Sequence, residues 1–400
     1  MFCVFAIKSH ASVHAALTLF WIVFAASHAC VFADETVVDD SARWKRHVVY
    51  DGAPCMTAVA GEFSGDDQTD IICSAGGETI LLVAPDWKRV TLGKDAQHKF
   101  IHSEAYDVDD DGDTDYIAAR YNPGLIVWFE QPDSPVSHRW EMHMISDRVH
   151  GIHGLLKGDV DGDGKTDLLA TSAQPKPPYP ESLVWLRPKQ PLDVEDTVWE
   201  CNVMADRDAP GLTHYLGFGD VNGDGRPDVA TGAKGGPTDA SGKGEWFAWW
   251  EAPKVPTETW TKRLISDKQP GATNIHPVDV NNDGIVDFIA SRGHGRGVVW
   301  FEGPSWKEHP IHASIQEPHC LVAVDMDNDG DIDAATCAFG DKLAAWFEND
   351  GHGTFTTHIV GRDQEAYDIR AVDLNGDKHL DLLVAGRASN NVVWYENPGK

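Results

Sequence analysis

The chain has 400 residues, with 33 Lys and Arg against 63 Asp and Glu, a formal charge of −30, 42% hydrophobic residues and 15 tryptophans. The apolar content excludes a disordered acidic tail protein. The charge excludes a nucleic-acid binder, which needs a concentrated positive surface, and argues equally against adhesion to anionic membranes.

Taken in chain order, residues 1–33 read as a secretory signal peptide. Lys8 is the only formal charge, Ala15 to Ala26 is apolar, and Val31-Phe32-Ala33 is an acceptable cleavage triplet. The apolar core is short for a spanning helix and no second such segment follows, so we expect a protein with no membrane span, secreted to the periplasm or the extracellular space. A lipid-anchored start at Cys30 is the weaker option, because Ser27 stands where a lipobox has Leu. Residues 34–400 read as one domain.

The segment Trp44-Lys45-Arg46-His47-Val48-Val49 has the character of a strand, and Glu62–Asp70 is the first, degenerate copy of a nine-residue acidic segment. Six closer copies follow, starting at Asp107, Asp159, Asp220, Asp279, Asp325 and Asp373. Each is succeeded by a short apolar run, a polar loop, a strand typified by Val298-Val299-Trp300-Phe301-Glu302, and a strand opened by Trp, as at Trp140, Trp260 and Trp306. Alternation and turn punctuation at this spacing predict strands, four to a unit, with no sustained helical period. Seven such units predict an all-β, seven-bladed β-propeller. Because the chain opens on a fourth-strand segment and ends on a third, residues 44–50 should close the ring beside 392–396. Twelve tryptophans fall at two repeat positions, which assigns them to packing between blades.

The acidic segments carry specific chemistry. Oxygens at positions 1, 3, 5 and 9 of a tight turn converge on one point, and Gly at position 6 permits the reversal. The predicted ligands are Asp107, Asp109, Asp111 and Asp115; Asp159, Asp161, Asp163 and Asp167; Asp220, Asn222, Asp224 and Asp228; Asp279, Asn281, Asp283 and Asp287; Asp325, Asp327, Asp329 and Asp333; and Asp373, Asn375, Asp377 and Asp381. Hard oxygen donors in this number suit Ca²⁺, giving five to six structural sites. Lys378 replaces the glycine in the last loop, and the first loop has Glu62, Ser64 and Asp67 at positions 1, 3 and 6, so these two are the weakest candidates. Positions 1, 3, 5 and 9 of the seven loops hold 24 of the 63 carboxylates, so much of the acidity is assigned to metal ligation rather than to a partner.

Beyond residue 33 stand five cysteines, Cys55, Cys73, Cys201, Cys320 and Cys337, an odd, sparse count that is no disulfide framework. Cys320 and Cys337 should lie almost opposite each other in one hairpin. A bond there is geometrically demanding, and free buried thiols are the preferred reading.

With their blade spacing, the D-x-[DN]-x-D-G-x-x-D loops resemble the FG-GAP/VCBS repeats of integrin α-subunit propellers and of many secreted bacterial proteins, over essentially all of residues 44–398. The resemblance implies structural calcium between the first and second strands of each blade and leaves activity open. A partial resemblance to the propeller of aldos-2-ulose dehydratase rests on His150–Gly158 and on Trp306–His309, without that enzyme's cupin domain.

The face opposite the acidic loops is the candidate functional face. His153, His214 and His319 each stand six residues before a first Asp, and Tyr367 holds the same place in the last blade. His102, His150 and His276 are nearby, and loops after the second strands bring Arg120, Lys234, Arg292, His294 and Arg387. Two functions follow. One is a monomeric module binding an extracellular glycan or protein, shaped by insertions 172–182 and 232–246. The other is a sugar lyase or dehydratase, with His153, His214, His319, Tyr367 and Arg292 as candidate catalytic residues. His, Tyr and Arg are what the resemblance to propeller polysaccharide lyases implies for such roles. The three histidines could instead hold Zn²⁺ or another transition metal. No G-x-S-x-G, H-E-x-x-H or P-loop motif is present.

Overall fold

The computed structural model describes residues 35–95, 97–189 and 199–399, so the expected signal peptide lies outside the described residues. Among them the regular structure is entirely β, and no helix is long and apolar enough to cross a membrane. Seven antiparallel sheets are arranged as the blades of a propeller. Their first strands are Cys55–Gly61, His102–Tyr106, Leu155–Gly158, Thr213–Gly219, Ile275–Val278, Pro318–Val324 and Asp368–Val372. Residues from the last six of these strands line the central channel.

Closure follows the order of the sequence segments. Lys45–Asp51 pairs antiparallel with Asn391–Glu396, with Lys45 opposite Glu396 and Asp51 opposite Asn391. Backbone hydrogen bonds between distant ends of the chain therefore complete the seventh blade. The sixth blade departs from the four-strand rule. Thr36–Asp39 adds in parallel along Phe355–Arg362 as a fifth strand, held by Arg362 donating to Asp39 Oδ2 at 2.8 Å and by His358 Nδ1 to Asp40 Oδ2 at 2.7 Å. Four residues are too short for alternation to reveal such a strand.

Second strands such as Asp167–Ser172 and Asp381–Gly386 are buried along their whole length, because both faces of each blade are covered by neighbours. The tryptophans fill these seams. Trp185 of the third blade packs in one cluster with Trp246 and Trp250 of the fourth, and Trp128 of the second blade joins Leu168 and Trp199 of the third.

Four blades share a further device. A fourth-strand histidine stacks on the third-strand tryptophan and reaches the glutamate two residues beyond it. The ring centroids are 3.9 Å apart for His47 and Trp394, 4.6 Å for His143 and Trp128, 4.4 Å for His309 and Trp300, and 4.5 Å for His358 and Trp346. The imidazole Nε2 lies 2.7–2.9 Å from Glu396, Glu130, Glu302 or Glu348. The Trp306–His309 stretch, which suggested the dehydratase, therefore serves blade packing.

Cys320 stands directly opposite Cys337, and both are free thiols, as are Cys55, Cys73 and Cys201. Burial pushes the Cys320 thiol up to about 12, which leaves it inert as a nucleophile.

Candidate functional site

Two regions lie at opposite ends of the first strands. At the outgoing ends are the acidic hairpin loops. In the second blade Asp107 accepts hydrogen bonds from the backbone N–H groups of Asp111 (3.1 Å) and Gly112 (2.9 Å). Asp115 accepts from Val108 (2.8 Å) and from Gln131 (2.9 Å), tying the hairpin to the end of the third strand. The ninth-position aspartate repeats this clamp in five other blades, for example Asp287 with Val280 and Gly303, whereas in the third blade Asp167 accepts from Val160 and Pro188 has no N–H to offer. Its structural role is one that ligand spacing alone could not disclose.

Carboxylate oxygens of Asp107, Asp109 and Asp115 lie within 4.8 Å of one another, as do those of Asp159, Asp161 and Asp167. Asp109 Oδ1 is buried without a hydrogen-bond partner among the described residues. Burial, followed by repulsion from neighbouring carboxylates, pushes Asp109 up to about 6, and burial pushes Asp115 up to about 8 and Asp167 to about 7. An all-oxygen donor set with an orphaned oxygen and crowded negative charge fits a hard divalent cation. In the third blade Arg187 also donates to Asp161 at 2.7 Å.

The weak copies keep the loop shape. Lys378 takes the left-handed conformation at φ 73° and its N–H donates to Asp373 at 2.9 Å, as glycine does elsewhere. Glu62, Asp66 and Asp70 also converge, although one Glu62 oxygen already accepts three backbone N–H groups.

At the incoming ends of the first strands is a cavity of about 400 Å³. First strands and the turns before them supply His102, His153, His214, Tyr215, His319 and Tyr367, and loops after second strands supply Tyr121, Lys234, His294 and Arg387. Backbone pairing places these side chains. The His153 N–H donates to Thr171 Oγ1 at 2.9 Å, and Thr231 Oγ1 donates to the Tyr215 carbonyl at 2.8 Å, both from adjacent second strands.

The imidazoles form one continuous cluster. His153 stacks on His214 at 4.0 Å between centroids, and His319 stacks on Tyr367 at 3.7 Å. His214 Nε2 lies 2.9 Å from His294 Nε2, and His102 Nε2 lies 3.3 Å from His153 Nδ1. Burial, reinforced by neighbouring positive groups, holds His153 down at about 3 and His294 at about 4, and puts His102, His214 and His319 well below the usual imidazole range. All five are neutral at pH 7. The cations are Lys234, half-buried with its Nζ 3.1 Å from Thr238 Oγ1, and Arg387, whose guanidinium lies 4.2 Å from the Tyr367 ring centroid.

Of the predicted face, His153, His214, His319, Tyr367, His102, Lys234, His294 and Arg387 come together. Arg292 does not: it donates to Gln269 and Glu308, both at 2.7 Å, and braces the fifth blade. Arg120 donates to the Pro123 carbonyl, His276 lines the channel below, and His150 lies outside the cavity. Tyr121 and Tyr215 were missed. Tyr215 directly follows His214, so its position in the repeat was the available signal. Arg370 was also missed. It sits in the channel with its guanidinium 3.4 Å from both Glu104 and Asp368.

A family model described as the FG-GAP-like repeat matches residues 107–170, 220–290 and 325–384, each span starting on the first aspartate of an acidic loop. The chain is built of FG-GAP-like repeats. No curated protein matches this sequence. Among solved structures, the FG-GAP chain is similar to an Agrocybe aegerita lectin described as recognising non-reducing terminal N-acetylglucosamine, with 14% identity, 88% of this chain and 87% of that one covered, and a TM-score of 0.51. It is similar to streptogramin B lyase with 11% identity, coverage of 88% and 97%, and a TM-score of 0.56. It is also similar to BBS1N, solved in complex with ARL6DN, with 8% identity, coverage of 90% and 98%, and a TM-score of 0.58. At such identities these likenesses establish the propeller fold alone. The dehydratase likeness gains no support from them.

Proposed function

We propose that this FG-GAP propeller is an exported, calcium-stiffened binding module that takes the end of an acidic glycan in its histidine-lined cavity. The observation that carries this reading is the pairing of Lys234 and Arg387 at one concave site in a chain of net charge −30. In such a protein the only region to focus an anionic ligand is one where cations converge. Burial lowers the Lys234 ammonium below its ordinary range, and a bound carboxylate would restore it. Tyr121, Tyr367 and the neutral imidazoles offer ring faces and hydroxyl partners to a sugar. A cavity of about 400 Å³ suits one or two sugar units better than a folded protein surface. The lectin neighbour supports a glycan ligand only by analogy.

Calcium would be held by positions 1, 3, 5 and 9 of the loops, Asp107, Asp109, Asp111 and Asp115 in the second blade. There it would neutralise crowded carboxylates and stiffen the hairpins. Residues 1–33 would direct export. Calorimetry with uronic-acid oligosaccharides and their neutral counterparts tests the glycan reading. Acidic ligands should bind, and Arg387→Met and Lys234→Met should each weaken them at least about 10-fold, the loss of one charge-assisted contact. Equal binding of neutral sugars would overturn it.

A second reading rests on the neutral imidazoles beside those cations. His294 or His153 could abstract a proton next to a carboxylate neutralised by Arg387, making the protein a lyase. Ultraviolet absorbance of an unsaturated product would distinguish turnover from binding.

A further inference from the structure

We propose that His214, His294 and His319 form a three-histidine site for a borderline-soft divalent metal, Zn²⁺ by class, with its open coordination position facing the cavity. One ring nitrogen from each lies within 4.8 Å of the other two, and they come from the fourth, fifth and sixth blades. By position in the repeat, His153 groups with His214 and His319. The fold instead stacks His153 on His214, with ring planes 28° apart, and substitutes His294, which a loop swings in from the fifth blade.

The protons decide which nitrogens are available. His214 Nδ1 lies 3.0 Å from the Leu212 carbonyl and must donate to it, so its Nε2 carries the lone pair. Tyr215 donates its single hydroxyl proton to the Tyr367 carbonyl at 2.8 Å. His319 Nδ1, 3.0 Å from that carbonyl, must therefore also be a donor. Its Nε2 is left as an acceptor in a residue only 1% exposed, with no hydrogen-bond partner among the described residues. A buried lone pair without a partner is costly and rare. Two imidazoles anchored through Nδ1–H to backbone carbonyls also have the outer-shell support that fixes metal-ligating histidines.

His294 Nε2, 2.9 Å from His214 Nε2, donates to it when no metal is present. Metal binding moves that one proton to His294 Nδ1, so the ligand set remains three neutral imidazoles. Imidazole donors suit Zn²⁺, and three protein ligands with one open position are the pattern of reactive rather than structural zinc. Lys234 and Arg387 line the same cavity. They repel a bare dication and favour a complex whose fourth ligand is an anion, which fits a carboxylate-bearing ligand. This link rests on the glycan reading; the metal site itself does not.

The test is titration of chelator-treated, Ca²⁺-reloaded protein with Co²⁺, in saturating Ca²⁺ and without sugar. One equivalent should bind and develop visible d–d absorption, and Zn²⁺ should displace it. His294→Gln, in a half-buried loop position, should weaken Co²⁺ at least about 10-fold. His319→Gln should do the same, while His150→Gln, outside the cavity, should not. Melting curves in Ca²⁺ establish that each variant is folded. Absence of any Co²⁺ uptake beyond the acidic loops, or uptake unchanged in both His294→Gln and His319→Gln, would overturn the proposal. Neither result would touch binding of the acidic glycan, measured separately.

Discussion

His309 lies flat against Trp300, with ring centroids 4.4 Å apart and planes 15° from parallel, and its Nε2 is 2.9 Å from Glu302. The same trio recurs in three other blades, so it is a repeat-encoded latch between third and fourth strands. His309→Ala removes both the stacking and the hydrogen bond. It should cost about 1–2 kcal/mol, read as a lower urea midpoint at unchanged slope. A midpoint equal to that of the unsubstituted protein would mean that the latch is ornamental.

The fourth position of the acidic loops is left-handed. Gly162 has φ 74°, and Asp110, Asn282 and Asn328 occupy the same place at 64°, 58° and 61°. No atom lies within 4 Å of a Cβ built on Gly162, so only the backbone conformation restricts the residue. Gly162→Val should therefore destabilise by about 1–2 kcal/mol and Gly162→Asn by much less. If the two variants melted together, side-chain space rather than backbone conformation would be the governing factor.

Arg370 holds Glu104 and Asp368, both nearly inaccessible to solvent, inside the channel. Arg370→Met leaves two carboxylates without their counter-charge and should cost about 3 kcal/mol, the lower end for a broken buried pair because the guanidinium is partly exposed. Adding Glu104→Gln should recover part of that loss. A chemical-denaturation double-mutant cycle measures both.

Burial lowers the imidazoles of His98 and His276 below the ordinary value of 6.5. Protonation then favours the unfolded chain, so their contribution is complete above about pH 6.5 and is lost progressively as pH falls below it. The melting temperature at fixed Ca²⁺ should drop from pH 7.5 to pH 5. His276→Gln, whose amide can still donate to the Leu321 carbonyl that His276 Nε2 meets at 2.9 Å, should make this acid limb shallower by the share of one of the buried imidazoles. An unchanged limb would assign the acid sensitivity elsewhere.

Chelation is the test of the acidic loops. At about 2 mM Ca²⁺ and a site affinity of 10⁻⁴–10⁻³ M, each occupied loop adds about 0.6–1.8 kcal/mol. EDTA should lower the melting temperature, Ca²⁺ but not Na⁺ should restore it, and elemental analysis should find at least four Ca²⁺ per chain.

The acidic copies, the tryptophans at two repeat positions and the strand segments at either end of the chain were enough to establish seven blades and their seam. The acidic copies and the tryptophans are local patterns repeated around the ring, and repetition makes a weak local signal decisive. Residues six before the first aspartate were assigned to one face for the same reason, since equivalent positions in a radial fold converge on its axis.

The tertiary structure decided which residues at that face touch. His153 and His294 differ only in how their rings are delivered. His153 is stacked on His214, and His294 arrives on a loop whose path no periodicity records. Arg292 has the composition of a site residue, but Glu308 and Gln269 engage it across the blade. Sequence determined the ring, its closure and its acidic rim through repeating backbone geometry. Which imidazoles present free lone pairs was decided by single hydrogen bonds that no repeat pattern records, His214 to the Leu212 carbonyl within its own turn and His319 to the Tyr367 carbonyl of the next blade.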